Sequence, residues 1–216
     1  MNKTDLKLYA ITDRQWLHGA SLSEHVKLAI EGGATMIQIR DKDILSTDSD
    51  AGLKDEYNEA LEIKRICHEH RVPLIINDNV QFAIDIDADG VHLGQDDMNP
   101  AEARKLLGTD KIIGVTAKTV EQAKRAEADG ADYLGSGAVF GSTTKLNAKP
   151  MTKELLREIT AAVDIPVVAI GGINADNAVT LDDTGIAGIA VVGAIFASAD
   201  IKGAARELAE ICDKML

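Results

Sequence analysis

The sequence predicts an α/β fold, a single (β/α)8 barrel, and three observations lead to it. Short apolar runs, rich in β-branched residues, recur along the 216 residues. Amphipathic stretches with helix-capping residues separate the runs, and no Ser-, Gly- or Pro-rich linker divides residues 1–216. Eight strands that alternate with helices in one domain favour a closed barrel, with a doubly wound open sheet as the alternative.

The apolar runs are four to seven residues long and nearly continuous in hydrophobicity. That pattern is typical of parallel strands that are buried on both faces. In chain order, the predicted strands are Leu8–Ile11, Met36–Ile39, Val72–Ile76, Gly90–Leu93, Ile112–Val115, Asp132–Gly135, Pro166–Ile170 and Ile186–Val192.

Helix start and stop signals occupy the stretches between these runs. Ser21 with Glu24, and Thr119 with Gln122, have the spacing of a capping box. Pro100 stands at a predicted first helical position, where its missing N–H costs nothing. The predicted helices then end at glycines, as helices often do. These are Gly32, Gly108, Gly130 and Gly185.

The composition excludes several classes of partner. The formal net charge is −12, from 35 acidic and 23 basic residues, which argues against nucleic acid and against an anionic membrane surface. No apolar run approaches the roughly 18 residues needed to span a bilayer, and the N-terminus lacks the apolar segment of a signal peptide. Cys67 and Cys212 lie outside any CxxC pair. We therefore expect a soluble cytoplasmic protein with two reduced thiols.

In a barrel, chemically active residues lie where the strands end. The second run leads into Gln38, Arg40 and Lys42, which alternate with other residues and so share one side of the chain. Two cations and an amide suit a polyphosphate, since Arg offers a bidentate fork and Lys a point charge. The alternative is a solvated loop that Asp41 and Asp43 neutralise.

The third and fourth runs are followed by carboxylates. Asn77 and Asp78 follow the third run and Asp97 follows the fourth, so both carboxylates follow neighbouring strands. Two carboxylates with substrate phosphates suit Mg²⁺, and Asn77 has an amide to offer a phosphate oxygen. The alternative for Asn77 and Asp78 is a helix N-cap. His92 alternates with apolar residues, and a structural hydrogen-bonded histidine is favoured over a catalytic one.

The fifth and sixth runs end in hydroxyl-bearing residues. Thr116 ends the fifth, and a glycine-rich exit leads from the sixth to Ser142, Thr144 and Lys145. Backbone N–H groups, hydroxyls and one charge would cradle a diphosphate, with a flexible polar loop as the alternative.

The seventh and eighth runs end in glycine turns, at Gly172 and at Val192–Gly193. Turns in these two places commonly bind a phosphate monoester in barrel enzymes. Glycine lets the backbone approach the anion, and a helix N-terminus adds a favourable dipole. No Ser-His-Asp or Cys-His arrangement emerges from the sequence.

Seven motifs together resemble those of a known family. They are QIRDKD, IINDN, GVHLGQDD, GVT, GAVFGSTTK, AIGGI and VVGAIF. In this order and spacing they span nearly the whole chain, which resembles the thiamine phosphate synthases. The resemblance implies a transferase of thiamine biosynthesis with a TIM-barrel fold. It would join 4-amino-2-methyl-5-hydroxymethylpyrimidine diphosphate to the thiazole phosphate, or to its carboxylated form, and release pyrophosphate by a dissociative, Mg²⁺-assisted substitution.

The resemblance also implies a role for each site residue. The diphosphate would contact Arg40, Lys42, Asn77 and Lys145; Mg²⁺ would be held by Asp78 and Asp97; the pyrimidine would face Gln38; and the thiazole phosphate would lie against Ser142, Thr144, Gly172, Val192 and Gly193. Arg40, Thr116 and Lys145 would act on the leaving group.

The chain departs from the family pattern at four positions. Ala138 stands where proline is frequent, Ser142 where threonine is, Thr116 where serine is, and Lys118 where histidine is. Two alternatives share the barrel: a thiazole tautomerase and a non-catalytic regulator that binds thiazole phosphate. The tautomerase needs no diphosphate site, and a pure regulator needs no pair of carboxylates around a metal, which favours the synthase. A homo-oligomer is compatible with the sequence, which does not fix the oligomeric state.

Overall fold

The computed structural model of this chain describes residues 1–40, 50–141 and 150–216. In that part of the chain, eight parallel strands form a closed barrel in sequence order, and β8 pairs back to β1. The strands are β1 (Leu8–Ile11), β2 (Met36–Ile39), β3 (Leu74–Asn77), β4 (Gly90–Leu93), β5 (Ile112–Thr116), β6 (Tyr133–Gly137), β7 (Val167–Ile170) and β8 (Gly188–Val191). The predicted (β/α)8 barrel is confirmed.

Helices surround the strands. They are α1 (Leu22–Gly32), α2 (Asp50–His70), α3 (Val80–Asp85), α4 (Pro100–Leu107), α5 (Val120–Ala128), α6 (Lys153–Ala161), α7 (Gly193–Phe196) and α8 (Ile201–Met215). Three 3₁₀ helices cover Lys3–Leu6, Arg14–Trp16 and Ala178–Leu181. Among the described residues, no helix has the length and apolar character that crossing a membrane requires.

The predicted strands match the observed ones closely. β1, β2 and β4 have the predicted bounds, and the ends of the other strands differ by at most two residues. At the last run, Ile186 and Ala187 are buried but precede the paired strand. An apolar run indicates which residues are buried, and buried residues continue beyond those that are hydrogen-bonded in the strand.

Helix caps agree in part with the sequence. Ser21 and Glu24 form the predicted capping box at the start of α1. Thr119 accepts a hydrogen bond from the Gln122 backbone N–H, but the Gln122 side chain accepts from the Lys118 N–H instead of closing a box.

The connection between β7 and β8 differs from the expected helix. It contains only the 3₁₀ helix Ala178–Leu181 among the described residues. The Asn174 side chain accepts a hydrogen bond from the Asp176 backbone, and the Asn177 side chain accepts one from the Asn174 backbone. Such local bonds compete with a regular helix for the backbone donors.

The alternation of strand residues creates two apolar layers. One layer lies between the strands and the helices, and includes Leu8, Ile37, Leu74, Val91 and Ile113. The other lies inside the barrel; it comprises Leu6, Tyr9, Ile11, Met36, Ile75, Ile112, Tyr133, Val168, Ala187 and Ala190. Side chains that point inward near the carboxyl ends of the strands therefore form the floor of the barrel mouth.

Candidate active site

Arg40 lies at the mouth directly after β2. Its backbone N–H donates to the Thr12 hydroxyl at 3.1 Å, and its guanidinium lies 4.0 Å from the Asp13 carboxylate. Asp13 also caps the short helix after β1 by accepting from the Gln15 backbone N–H. The end of β1 thus holds Arg40 in place, with only 15% of its side chain exposed.

Asn77 and Asp78 mark the end of β3. The Asn77 amide donates to the Asp78 carboxylate at 2.6 Å. The Asp78 backbone has a φ of 61°, and its N–H donates to the His92 carbonyl on β4 at 2.8 Å. This turn leaves Asp78 exposed at the mouth.

Asp97 follows β4 and is also exposed. One of its carboxylate oxygens accepts from the Gly94 N–H at 2.6 Å. Because Asn77 on β3 pairs with His92 on β4, Asp78 and Asp97 follow adjacent strands. Within residues 1–40, 50–141 and 150–216, no group of three or more His, Cys, Asp or Glu residues is arranged to hold a metal. Two carboxylates remain a fitting donor set for Mg²⁺, which takes its other ligands from water and phosphate.

A chain of hydrogen-bonded polar groups, buried or partly buried, crosses the barrel interior below the mouth, and we name it the interior chain. The Gln38 amide nitrogen donates to the Tyr9 hydroxyl at 2.5 Å, and the hydroxyls of Tyr9 and Tyr133 lie 2.9 Å apart. The Tyr133 hydroxyl lies 3.0 Å from His92 Nδ1, and His92 Nε2 lies 3.0 Å from the Thr116 hydroxyl. It therefore links two predicted site residues, Gln38 and Thr116, through three others.

Sequence reasoning missed Tyr9 and Tyr133. Both lie within apolar strand runs and therefore pass for ordinary core residues. The available signal was that a buried tyrosine needs a partner for its hydroxyl. His92, expected to be a hydrogen-bonded structural residue, points into the barrel and bonds both Tyr133 and Thr116.

The two buried tyrosines stay protonated. Burial is the main cause that raises the pKa of the Tyr9 hydroxyl above its ordinary value of 10.0. Burial likewise raises the pKa of Tyr133, and the nearby Tyr9 adds to that rise. Both hydroxyls are therefore hydrogen-bond donors as well as acceptors at neutral pH.

Two glycines make room for the rings of the interior chain. A Cβ added at Gly114 on β5 would lie 2.1 Å from Cζ of Tyr133. A Cβ added at Gly135 on β6 would lie 3.0 Å from Cε1 of His92. At these two glycines, β5 and β6 therefore present no side chain to the interior, and the Tyr133 and His92 rings pack there.

The ends of β7 and β8 are built from backbone. Gly171 and Gly172 have φ values of 101° and 67°, and a Cβ at Gly172 would lie 2.6 Å from the Phe140 carbonyl oxygen. Ile170 pairs with Ala190, so Gly172 and Val192 continue adjacent strands. Gly193 is the first residue of α7, where the leading N–H groups have no acceptor within the helix.

Most of the predicted site residues lie at one end of the barrel. Gln38, Arg40, Asn77, Asp78, Asp97, Thr116, Gly172, Val192 and Gly193 all lie at the carboxyl ends of strands or just beyond them. Lys42, Ser142, Thr144 and Lys145 lie outside the residues that the structure describes. Their predicted contacts stay predictions.

Comparison with known proteins identifies the family. Residues 8–195 match the family model described as thiamine monophosphate synthase. The thiamine-phosphate synthase of Ruminiclostridium cellulolyticum is 48% identical over 97% of this chain and 97% of its own length. That of Clostridium novyi is 48% identical over 95% of this chain and 98% of its own. A solved structure, the thiamine phosphate pyrophosphorylase from Pyrococcus furiosus, is 39% identical with a TM-score of 0.87, covering 99% of this chain and 98% of that one. This chain belongs to the thiamine monophosphate synthase family.

Proposed function

We propose that this protein condenses 4-amino-2-methyl-5-hydroxymethylpyrimidine diphosphate with 4-methyl-5-(2-phosphoethyl)thiazole to give thiamine phosphate and pyrophosphate. The observation that carries the proposal is family membership over nearly the full length, joined to a polar barrel mouth. The protein is a transferase that acts on small molecules, in keeping with relatives named thiamine-phosphate synthase and thiamine phosphate pyrophosphorylase.

The diphosphate side of the site is proposed to lie over β2 to β5. Arg40 is largely buried, with its backbone bonded to Thr12 and its guanidinium 4.0 Å from Asp13, so this side chain has little conformational freedom left to lose when an anion binds. The Asn77 amide and the Thr116 hydroxyl add neutral hydrogen-bond donors on the same side of the site. Lys42 and Lys145 complete this side in the proposal, from the resemblance alone.

Asp78 and Asp97 are proposed to hold Mg²⁺. Both are exposed at the ends of neighbouring strands, and each already accepts one local hydrogen bond that orients its carboxylate. When bound, Mg²⁺ would neutralise charge on the departing diphosphate. We also propose that a carboxylated thiazole phosphate is a substrate.

The two rings are proposed to meet at the centre of the mouth. Gln38, held by Tyr9, faces the pyrimidine. The backbone at Gly172, Val192 and Gly193 binds the thiazole phosphate. Because the diphosphate lies over β2 to β5, the two anionic groups are then at opposite sides of the barrel mouth. Alignment of two substrates supplies much of the rate enhancement in such reactions.

The chemistry is proposed to be dissociative. The C–O bond to diphosphate breaks first, with the amino-substituted pyrimidine stabilising the cation, and the thiazole nitrogen then forms the new C–N bond. No side-chain nucleophile takes part. The protein stabilises the leaving charge and excludes water, which would otherwise capture the cation.

The direct test is an assay with both phosphorylated substrates and Mg²⁺. Thiamine phosphate and pyrophosphate are expected in equal amounts by chromatography and a coupled phosphate assay. Removal of Mg²⁺ by a chelator should stop the reaction, and addition of Mg²⁺ should restore it. No product would overturn the proposed function, and product that persists in excess chelator would overturn the metal assignment alone.

Cell fractionation and gel filtration test the remaining expectations. We propose that the protein is cytoplasmic and that it forms a homo-oligomer, a state with which the sequence is compatible but which it does not fix. A monomer at micromolar concentration, or recovery outside the cytoplasmic fraction, would contradict this part without affecting the reaction.

A further inference from the structure

The interior chain has a direction that its chemistry fixes. It begins at the Gln38 amide nitrogen, which carries only donor hydrogens, so the Tyr9 hydroxyl accepts there. Tyr9 is 1% exposed, and among the described residues its hydroxyl bonds only Gln38 and Tyr133. The proton of Tyr9 therefore points to the Tyr133 oxygen.

The same logic continues from Tyr133 to Thr116. Tyr133 accepts from Tyr9, so its own proton is donated to His92 Nδ1. A neutral imidazole that accepts at Nδ1 carries its hydrogen on Nε2. His92 Nε2–H then donates to the Thr116 oxygen at 3.0 Å. The hydroxyl proton of Thr116 is left to point away from His92.

The opposite direction leaves a buried donor without a partner. If Thr116 donated to His92, then His92 would donate to Tyr133, and Tyr133 to Tyr9. Tyr9 would accept from both Gln38 and Tyr133, and its own proton would have no acceptor in these bonds. Such an unsatisfied donor is costly inside a protein.

The surroundings of Thr116 make its hydroxyl direction consequential. Its backbone carbonyl accepts from the Gln95 amide at 2.6 Å, and Gln95 in turn accepts from Arg125. Gln95 therefore holds the Thr116 backbone, while among the described residues His92 is the one side chain that bonds the Thr116 hydroxyl. Thr116 is partly exposed at the mouth, where the diphosphate is proposed to bind.

We infer that Tyr133 is a positioning residue: it holds His92 as the Nε2–H tautomer, so that the Thr116 hydroxyl donates toward the departing diphosphate. No proton is transferred, because Thr116 keeps its hydrogen and only orients it. Tyr9 acts at the other end, where the same bonds fix the Gln38 amide. This inference rests on the proposed function for the identity of the anion, but the tautomer of His92 does not depend on it.

The first experiment measures the tautomer in the full-length protein. The chain has five histidines, so the ¹⁵N-histidine spectrum is assigned by comparison with His92→Gln. The expected result is an Nε2–H tautomer for His92, with Tyr133→Phe raising the Nδ1–H fraction. An Nδ1–H tautomer in the unmodified protein, or a fraction that Tyr133→Phe leaves unchanged, would overturn the inference.

The second experiment measures turnover. Tyr133→Phe keeps the ring and its packing but removes the hydroxyl, and kcat is expected to fall about tenfold because the leaving-group donor is misaligned. The KM for the thiazole phosphate should stay within about twofold, since the Tyr133 hydroxyl acts through Tyr9 and His92 rather than through the backbone turns after β7 and β8. The matched control is Tyr57→Phe on α2, which removes a surface hydroxyl bonded to the Asp85 carbonyl and should leave kcat unchanged.

The outcomes separate the two proposals. Unmodified protein that forms no thiamine phosphate would remove the proposed function and leave the tautomer result to stand. Active protein with an unchanged kcat in Tyr133→Phe would remove the positioning role. If Tyr133→Phe lowered both kcat and the melting temperature but left the His92 tautomer unchanged, Tyr133 would contribute packing alone. That result would also overturn the positioning role.

Discussion

The two halves of the barrel mouth are built from different materials. Over β1 to β5 the mouth is lined by side chains, with Gln38, Arg40 and Thr116 held by residues on or next to other strands. Over β7 and β8 it is lined by backbone, at the glycine turn of Gly172 and at the start of α7. A side-chain site loses function when a polar group is removed. A backbone site loses function when a group is added.

The largest effect is expected on the side-chain half. Arg40→Ala removes a cation from the diphosphate side and should lower kcat/KM by about 10²–10³-fold, as loss of a charge-stabilising donor does. Steady-state assays with both substrates measure it. Arg65→Ala on α2 is the control, because Arg65 pairs only with exposed Glu62 and Glu69 among the described residues. Near-normal turnover of Arg40→Ala would exclude a role for Arg40 in leaving-group stabilisation.

The converse change tests the backbone half. Gly172→Ala adds a methyl group at a φ of 67°, where it would lie 2.6 Å from the Phe140 carbonyl oxygen. We expect a loss of about 1–3 kcal/mol in the free energy of unfolding. The KM for the thiazole phosphate should rise more than that for the pyrimidine diphosphate.

Gly130→Ala is the control for that change. Gly130 also has a positive φ, 89°, but an added Cβ meets nothing within 4 Å. Its backbone strain is therefore similar, while its steric effect and its effect on KM should be absent. If both variants raised the KM equally, the Gly172 turn would have no special relation to the phosphate.

A third change adds volume beneath the side-chain half. Gly114→Ala would place a Cβ 2.1 Å from the Tyr133 ring, and overpacking of this kind costs about 1–3 kcal/mol. Gly135→Ala should cost less, because its Cβ would lie 3.0 Å from His92 Cε1. Chemical denaturation measures both losses. A larger loss of stability for Gly135→Ala would contradict the observation that the Tyr133 ring packs more tightly on Gly114 than the His92 ring does on Gly135.

The smallest effect is expected for the conservative change of Thr116 to serine. Thr116→Ser keeps the hydroxyl and loses the stiff β-branched rotamer, so kcat should change by no more than about threefold. Thr116→Val keeps the shape and loses the hydroxyl, so it should resemble Tyr133→Phe in kcat. Equal activity of the valine and serine variants would show that the hydroxyl is not used.

Much of this architecture is predictable from the sequence. The strands follow from apolar runs, and the residues of the mouth follow from the rule that activity lies where strands end. The hydrogen-bond partners of those residues cannot be predicted from the sequence in this way. Whether Tyr9, His92 and Tyr133 meet depends on which face of each strand turns inward and on the stagger between strands, and closure of the barrel sets both.

The lack of an α-helix between β7 and β8, a stretch that the structure describes in full, has a similar origin. The sequence there has a glycine stop and an apolar strand beyond it, which fits another helical unit. Side chains of Asn174 and Asn177 take up the backbone donors instead. Local competition of this kind is decided by geometry that residue spacing does not report.

The absence of a side chain at Gly114 constrains how this barrel can evolve. Gly114 and Tyr133 share one volume, so a substitution at either position alters what the other tolerates. Relatives that carry a side chain at the position of Gly114 are expected to carry a residue smaller than tyrosine at the position of Tyr133. Such an exchange would remove the central hydroxyl of the interior chain, and those lineages would need another way to orient the histidine.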